Sequence, residues 1–433
     1  MDSREIIILG AGLTGLSCAL HLKKDYLIVE RENRPGGLCG SISDKNGFIF
    51  DYTGHSLHLR DGYAENLVFG LLGENIRKIH RNSWIYTHET YVPFPFQANL
   101  YYLPDKMKKE CVEKFKSRRD INIDKDKISF HDWVLAALGE GIGKYFMFAY
   151  NRKMWNTSLK KLTIDWITPF VPQIKMDEII KGASEPQSKS YGYNVHFYYP
   201  VLGGIQSLID AITKKINNIK LNTKPVKIDL QKKEISFSDN SKSSFKHIVS
   251  TIPLPELLSL IKDIPADVAR ARNKLMWNSV LCINLGIKKA DISDKHWIYF
   301  PEKKFIFYRA GFYNNFSKHT VPEGCSSMYL EVSHRPDNKP HPEDTVKKVL
   351  DGLYKSKILN RSDNIPVIKL LPIKYAYVIY DKNRTSALKV IEKYLSENGA
   401  YSIGRYGAWK YSYMEESILD GKKTAESLNG LVK

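Results

Sequence analysis

The beginning of the chain alternates short apolar runs with glycine. Ile6–Leu9 is a continuous apolar run, the spacing G-x-G-x-x-G follows over 10–15, and a second apolar run, Tyr26–Val29, ends at Glu30. Short apolar runs bounded by glycine are typical of buried parallel strands. The pattern predicts a strand, a tight turn, a helix and a second strand, which is the arrangement of a dinucleotide-binding unit.

The glycines of this turn have separate physical roles. Gly10 permits the tight turn, Gly12 leaves room where a pyrophosphate approaches the backbone, and Gly15 lets the helix pack closely on the strand. The helix N-terminus offers free N–H groups to phosphate oxygens, and Glu30 can accept hydrogen bonds from ribose hydroxyls. The residues of this unit that we expect to bind the cofactor are Gly10, Gly12, Leu13, Thr14, Gly15 and Glu30. A glycine-rich turn in another α/β domain is the alternative.

Beyond this unit the pattern changes several times. Residues 61–200 are largely helical in pattern, and 225–251 hold three strand-like segments that predict a return to the first sheet. Residues 401–429 predict a strand, a turn and a helix. The runs that predict an antiparallel sheet are Val280–Leu285, Trp297–Phe300, Phe305–Tyr308 and Ser327–Val332.

The predicted fold class is therefore α/β, with a Rossmann-like FAD-binding domain, an interleaved helical domain and an antiparallel-sheet substrate domain. A dinucleotide unit whose partners return at mid-chain and at the C-terminus fits flavin enzymes better than two-domain nicotinamide dehydrogenases. The expected segments are 1–60, 201–275 and 401–433 for the FAD-binding domain, 61–200 for the helical substrate and base-binding region, and 276–400 for the substrate domain.

Charge narrows the function classes. The chain has 433 residues, of which 43% are hydrophobic and 26% charged, and a net charge of +18. Such a charge suits nucleic acid, an acidic membrane surface or anionic small molecules. Because the lysines are scattered and no nucleic-acid-binding module is visible, we expect a solvated basic surface and no nucleic-acid partner. Peripheral membrane contact stays open.

Cysteine usage and hydropathy indicate the compartment. The cysteines are odd in number and form no CxxC pair, which argues against a disulfide framework and against a metal site. They are Cys18, Cys39, Cys111, Cys282 and Cys325. The first residues lack the pattern of a signal peptide, and no apolar run is long enough to span a membrane. We expect a cytoplasmic protein, with its oligomeric state left open.

Several motifs, in order along nearly the whole chain, resemble those of the FAD-binding amine oxidase and protoporphyrinogen oxidase superfamily. They resemble above all the UDP-galactopyranose mutases of the eukaryotic type. Besides the first glycine turn, the motifs are Arg34–Leu38, Gly54-His55, Val92–Asn99, Phe146–Trp155, Trp297–Glu302, Phe307–Ala310 and Gly404–Tyr411. The first glycine motif is shared by many folds, whereas the ordered set is specific.

The resemblance implies a function. Mutases of this type interconvert the pyranose and furanose forms of a nucleotide-linked sugar, with reduced FAD as the active form and the flavin N5 atom as nucleophile. No separate nucleophile from the protein is then needed, and none with a convincing arrangement is present. NAD(P)H is the expected reductant, and polysaccharide biosynthesis is an expected setting. The alternative is an FAD-dependent oxidoreductase of the amine oxidase and protoporphyrinogen oxidase class.

The resemblance also implies which residues form the site. His55 and Arg309 are expected to be catalytic, His55 beside the flavin and Arg309 on a diphosphate. The further cofactor-binding residues are Arg31, Gly36, Gly37, Leu38, Gly54, His55, Val226, Gly404, Arg405, Tyr411 and Met414. The substrate-binding residues are Phe94, Phe96, Gln97, Met147, Asn151, Trp155, Asn194, Tyr299, Arg309, Arg405 and Tyr411. Core packing for the aromatic residues and surface ion pairs for the arginines are the alternatives.

The sequence departs from the family pattern at three positions. Phe94 and Phe316 stand where tyrosine is usual, and the stretch around Phe170 lacks a second arginine that binds diphosphate in the family. Losing a guanidinium and a phenol costs several kcal/mol of diphosphate binding unless other groups replace them. Arg152 and Lys153 are the candidate replacements. The sugar and the nucleotide therefore stay open.

Overall fold

In a computed structural model that describes residues 2–118, 128–172, 174–187, 191–192 and 194–430, two large sheets and a set of helices surround one cavity. The strands are β1 (Asp2–Leu9), β2 (Tyr26–Val29), β3 (Ser41–Ser43), β4 (Ile49–Asp51), β5 (Arg77–His80), β6 (Ser83–Thr87), β7 (Thr90–Pro93), β8 (His196–Tyr199), β9 (Ile219–Lys220), β10 (Pro225–Asp229), β11 (Glu234–Phe237), β12 (Lys242–Ser250), β13 (Trp277–Ile287), β14 (Trp297–Tyr299), β15 (Arg309–Phe312), β16 (Ser326–His334), β17 (Val367–Val378) and β18 (Ala400–Ser402).

The helices are α1 (Leu13–His21), α2 (Gly62–Leu72), α3 (Asp105–Lys116), α4 (Phe130–Ile142), α5 (Phe148–Trp155), α6 (Ile167–Phe170), α7 (Met176–Ser184), α8 (Gln206–Thr213), α9 (Leu254–Leu260), α10 (Ala266–Arg272), α11 (Pro342–Lys355), α12 (Arg384–Glu397), α13 (Gly404–Gly407) and α14 (Met414–Leu428). Among the described residues, no helix has the length and apolar character needed to cross a membrane.

The first sheet is built on the N-terminal apolar runs. Its order is β10-β11-β12-β1-β2-β9, and β18 also pairs with β12. The central strands run parallel, so that Ile7 lies between Leu27 of β2 and Ile248 of β12. Its central strands β1, β2 and β12 are buried at residues 6–9, 28–29 and 248–249, as continuous apolar runs predict. The α/β class, the mid-chain return to this sheet and the late strand β18 are confirmed.

The second sheet has the order β17-β13-β16-β15-β14-β6-β7. Its pairs are antiparallel except for β14 with β6. The antiparallel sheet that the sequence predicted is therefore present, and it also recruits β6 and β7 from the region expected to be helical. One strand prediction is wrong, because residues 305–308 are irregular and contain bends, and β15 begins at Arg309.

The region between the sheets is mostly helical, and it also contains a small two-stranded sheet of β5 and β8. A π-helical turn, Gly143–Met147, joins α4 to α5. At the other end of the chain, α14 packs on α1, and the Ser17 hydroxyl donates a 2.7 Å hydrogen bond to the Ile418 carbonyl. The last helix thereby covers the first.

Candidate active site

A single large cavity of about 1150 Å³ contains most of the residues predicted to be functional. Its walls come from the first sheet, the second sheet, the segment 146–154 and the C-terminal segment 405–417. One end contains the glycine turn and the residues after β2, which we call the dinucleotide end. The other end contains Phe94, Gln97 and Arg309, and we call it the substrate end.

The glycine turn at the dinucleotide end has the geometry that the spacing predicts. Gly10 has φ = +98°, a backbone conformation that favours glycine, and its N–H donates to the Val29 carbonyl at 2.9 Å. At Gly15, a Cβ atom would lie 2.1 Å from the Gly10 carbonyl oxygen. The close approach of α1 to β1 therefore excludes any side chain at Gly15.

Gly12 is different, because a Cβ atom there would meet no protein atom within 4 Å. Protein packing alone would therefore allow a side chain at Gly12, and the space in front of the α1 N-terminus is open. Nearby, the Glu30 carboxylate accepts hydrogen bonds from the N–H groups of Ala11 (2.8 Å) and Glu32 (3.0 Å). An open N–H-bearing helix end beside a fixed acid fits the phosphates and ribose of FAD.

Most of the other predicted cofactor residues line the same cavity. These are Leu13, Thr14, Arg31, Gly36, Gly37, Leu38, Gly54, His55, Val226, Arg405, Tyr411 and Met414. Gly15 and Gly404 lie outside its lining. A Cβ atom at Gly404 would lie 2.5 Å from the Thr14 hydroxyl oxygen, so this glycine brings the C-terminal segment against α1.

His55 is held neutral by its surroundings. Burial, and then the charge of Arg405, lower the pKa of His55 to about 4. At neutral pH its imidazole can therefore both donate and accept a hydrogen bond, one at each nitrogen. The buried neighbour Asp51 lies at the end of β4, just before this loop, and burial raises its pKa to about 6.

The substrate end offers an aromatic face beside an amide. Phe94 packs on Tyr299 with ring centroids 5.4 Å apart, and the Arg81 guanidinium lies 4.9 Å from the Phe94 centroid. Gln97 is fully buried, its Nε2 donates to the Pro172 carbonyl at 3.0 Å, and its Oε1 has no hydrogen-bond partner among the described residues. A buried acceptor in a cavity wall fits a ligand N–H group.

The other predicted substrate residues divide into two groups. Those that line the cavity with Phe94 and Gln97 are Met147, Asn151, Asn194, Tyr299, Arg309, Arg405 and Tyr411. Phe96 and Trp155 do not line it. Phe96 stacks on Phe146 at 5.3 Å, and Trp155 packs between Trp166 and Tyr411 at 4.8 and 6.0 Å. Both therefore lie one layer behind the wall, as core packing predicts.

Arg309 forms a buried ion pair with a residue that sequence reasoning missed. It lies directly opposite Glu331 in the β15–β16 register. The Arg309 Nε and Nη2 atoms donate to the two Glu331 carboxylate oxygens at 2.7 and 2.6 Å. Burial lowers the pKa of Arg309, but Glu331, Tyr329 and Tyr377 together outweigh it and keep that pKa well above the usual value. Both side chains line the cavity.

Arg405 is held by backbone oxygens. Its Nη1 donates to the Ser412 carbonyl, and its Nη2 donates to the Ala376 carbonyl at 2.9 Å. The guanidinium also lies 5.0 Å from the ring centroid of Tyr411. Tyr411 in turn packs on Phe170 with centroids 4.1 Å apart. An aromatic pair therefore occupies this part of the cavity wall, in the stretch where the resemblance implies that an arginine is missing.

Neither proposed replacement for that arginine lies in the cavity wall. Lys153 is buried beneath the second sheet, where its Nζ donates to the carbonyls of Phe300 (2.6 Å), Glu302 (2.8 Å) and Phe307 (3.0 Å). Burial lowers its pKa to about 7. Arg152 is exposed and lies over the Phe148 ring. The expectation that either residue contributes to diphosphate binding is wrong.

Sequence reasoning also missed three aromatic residues of the cavity lining, Trp166, Tyr329 and Tyr377. Tyr150, Trp297 and Tyr308 lie within the motifs but were assigned no role, and Phe316 was noted only as a departure from the family pattern; all four line the cavity. Burial raises the pKa of the Tyr150, Tyr308 and Tyr329 phenols, which are therefore neutral hydroxyl groups. A glutamate inside the apolar strand sequence Met328–Val332 was the available signal for Glu331.

Comparison with known proteins agrees with this architecture. The sequence pattern of the flavin containing amine oxidoreductase family matches residues 13–429. The chain belongs to this family. A coproporphyrinogen III oxidase from Staphylococcus aureus (strain NCTC 8325 / PS 47) is 23% identical over 332 residues, which cover 68% of this chain and 70% of that protein.

Two solved structures show how far the likeness extends within the family. Reduced UDP-galactopyranose mutase superposes with a TM-score of 0.95 and 27% identity, covering all of this chain and 95% of the mutase chain. Putrescine oxidase bound to putrescine superposes with a TM-score of 0.66 and 14% identity over 99% of both chains. The chain therefore has the form of the family fold that is seen in UDP-galactopyranose mutase, as its motifs predicted.

Proposed function

We propose that the protein is an FAD-dependent mutase that interconverts the pyranose and furanose forms of a nucleotide-linked sugar, as UDP-galactopyranose mutase does. One observation carries the proposal. A single cavity contains an FAD-type glycine turn at one end and, at the other, an aromatic face, an unpartnered amide oxygen and a guanidinium. These are groups that suit a base and a phosphate, and an oxidase for an apolar substrate has no need of them.

The residues of the chain have distinct tasks in this proposal. Gly12 and the N-terminus of α1 receive the FAD pyrophosphate, and Glu30 receives the ribose hydroxyls. Phe94 stacks on the base, and the Gln97 Oε1 atom accepts a hydrogen bond from it. Arg309 binds the phosphate next to the sugar. Reduced FAD, when bound, supplies the nucleophilic nitrogen for the exchange.

His55 and the tyrosines control protons and water. Because its pKa is lowered to about 4, His55 is neutral at the working pH and can donate one hydrogen bond beside the cofactor without adding charge. The neutral phenols of Tyr150 and Tyr329 supply hydroxyl groups that can contact sugar oxygens. The surrounding aromatic rings exclude bulk water, which protects the sugar from hydrolysis.

The test uses purified protein with bound FAD. After anaerobic reduction with dithionite, it is incubated with UDP-galactopyranose and a panel of other nucleotide sugars, and the furanose isomer is separated by chromatography. We expect conversion by the reduced protein and none by the oxidised protein. NAD(P)H replaces dithionite in a parallel reaction, since it is the reductant we propose. Failure of every sugar in the reduced state rejects the mutase proposal.

A second candidate is an FAD-dependent oxidoreductase of the amine oxidase and protoporphyrinogen oxidase class. It is favoured by Phe94, Phe170 and Phe316, which make the substrate end more apolar than the family pattern predicts, and by the oxidase relatives. Oxygen uptake with an amine or a porphyrinogen, together with no sugar conversion, supports this candidate.

In the mutase case we further propose a cytoplasmic role in supplying polysaccharide precursors.

A further inference from the structure

The Arg309–Glu331 pair sets the charge of the substrate end. Four carboxylates line the cavity: Glu30, Glu32, Glu256 and Glu331. Glu30 and Glu32 follow β2, and Glu256 pairs with Arg31 and Lys374, so these three belong to the dinucleotide end. Among the described residues, Glu331 is therefore the carboxylate that faces the substrate end.

The geometry of the pair leaves half of the guanidinium available. Arg309 uses Nε and Nη2 for Glu331, and no hydrogen bond of Nη1 to the described residues is present. A phosphate can therefore approach the Nη1 edge while Glu331 holds the opposite edge. Both side chains line the cavity, and the side chain of Arg309 is 21% exposed whereas that of Glu331 is 1% exposed, so a ligand has easier access to the cation than to the anion.

Resting on the proposed function, we infer that Glu331 is a specificity-determining residue: it orients Arg309 toward the ligand and limits phosphate affinity by cancelling the charge of Arg309. A phosphate at Nη1 is attracted by one unit charge and repelled by another only slightly further away. In a poorly hydrated cavity this repulsion is large. The site therefore binds a phosphate group with moderate affinity. Moderate affinity suits a reaction in which the bond between sugar and phosphate breaks and forms again.

The tyrosines around the pair add no charge that could replace that of Glu331. The tyrosines packed around the pair, Tyr150, Tyr308, Tyr329 and Tyr377, have raised pKa values because of burial and are neutral. Arg405 also lines the cavity, and its Nη1 and Nη2 already donate to carbonyl oxygens, so its position and charge do not depend on Glu331. Changing Glu331 alone should consequently change the charge that a phosphate experiences.

The test compares FAD-loaded wild type with Glu331→Gln, which keeps the shape of the side chain and removes its charge. Calorimetry measures the binding of UDP, inorganic pyrophosphate and uridine. We expect the dissociation constants of UDP and pyrophosphate to fall about tenfold in the variant, while that of uridine is unchanged. Glu5→Gln is the matched control, because Glu5 pairs with Lys24 at 3.3 Å on the surface, away from the cavity.

Each other outcome overturns the inference. Unchanged or weaker UDP binding in Glu331→Gln means that charge cancellation does not limit affinity, and equal tightening of uridine means that only the shape of the cavity changed. Absence of UDP and pyrophosphate binding in every variant means that Arg309 binds no phosphate. Glu331→Met, with the same expected direction, serves if the glutamine variant does not fold. Tightening of UDP without any sugar conversion rejects the proposed function and leaves this inference standing.

Discussion

The two ends of the cavity are built in different ways. At the dinucleotide end, the cavity wall is formed mainly by backbone: Gly10 turns the chain, and the N-terminus of α1 at Gly12 faces open space. At the substrate end, side chains from distant segments meet, and Arg309 is paired with Glu331. Backbone geometry tolerates little variation, whereas a wall of side chains can be exchanged residue by residue. The fold therefore determines the shape of the dinucleotide end, whereas individual side chains determine the shape and charge of the substrate end.

The change with the largest expected effect is Gly12→Val at the dinucleotide end. The protein should fold, because a Cβ atom there meets no protein atom, but it should bind no FAD, since the side chain fills the space of the pyrophosphate. Flavin absorbance after purification measures the loss. Gly62→Val is the control, because its Cβ atom also meets nothing within 4 Å and lies outside the cavity. A yellow Gly12→Val protein would contradict the assignment.

At the substrate end, Arg309→Ala should leave FAD bound and weaken UDP about a hundredfold, the loss expected for a charge-assisted contact to phosphate. The thermal transition should also fall, because Glu331 is left buried without its partner. Calorimetric titration with UDP gives the affinity. Arg361→Ala, which removes an exposed ion pair with Asp351, should change neither. Loss of FAD instead of UDP would place Arg309 at the wrong end.

Lys153→Met tests whether the substrate end depends on support from behind its wall. Three carbonyls of the segment 300–307 lose their donor, so we expect the free energy of unfolding of the FAD-loaded protein to fall by about 2–3 kcal/mol. Urea unfolding followed by flavin fluorescence measures this. Lys303→Met, in the same segment and exposed, should have little effect. Equal stability of both variants would show that the three hydrogen bonds contribute nothing.

The last effect is confined to a narrow pH range and concerns Asp51, which lies at the end of β4, before the loop that carries His55. Burial raises its pKa from 3.8 to about 6, so the folded protein binds more protons than the unfolded chain between these pH values. Stability from this group is therefore greatest below pH 4 and is lost as the pH rises to 6, by about 3 kcal/mol. Asp51→Asn should remove this slope in thermal unfolding measured from pH 4 to 7. An unchanged slope would assign it to other groups.

The sequence predicted the dinucleotide end well because local spacing determines it. A glycine turn between two apolar runs specifies a strand, a turn and a helix, and the structure has all three. The order of motifs along the chain likewise predicted the mutase-like form of the fold. The exact limits of the domains stay predictions. Residues from all of the predicted segments line the same cavity, so the cavity does not divide the chain into separate domains.

The substrate end was harder because its contacts are not local. Glu331 meets Arg309 only through the register of two strands, and no spacing within one segment reveals that pairing. Residues 305–308 have the apolar pattern of a strand, but the carbonyl of Phe307 accepts a hydrogen bond from the ammonium of Lys153. The sequence does not reveal that the Lys153 ammonium binds three backbone carbonyls, and Lys153 could therefore be mistaken for a phosphate-binding residue.

The packing of α14 on α1 has a consequence for synthesis of the protein. A Cβ atom at Gly421 would lie 2.5 Å from the Thr14 carbonyl oxygen, and the Asn429 amide donates to the His21 carbonyl at 2.9 Å. The first helix is thus completed by residues up to 408 positions further along the chain. A nascent chain has to keep its N-terminal unit in an unfinished state until Gly421 and Asn429 have emerged from the ribosome, and we expect firm binding of the cofactor only after that point.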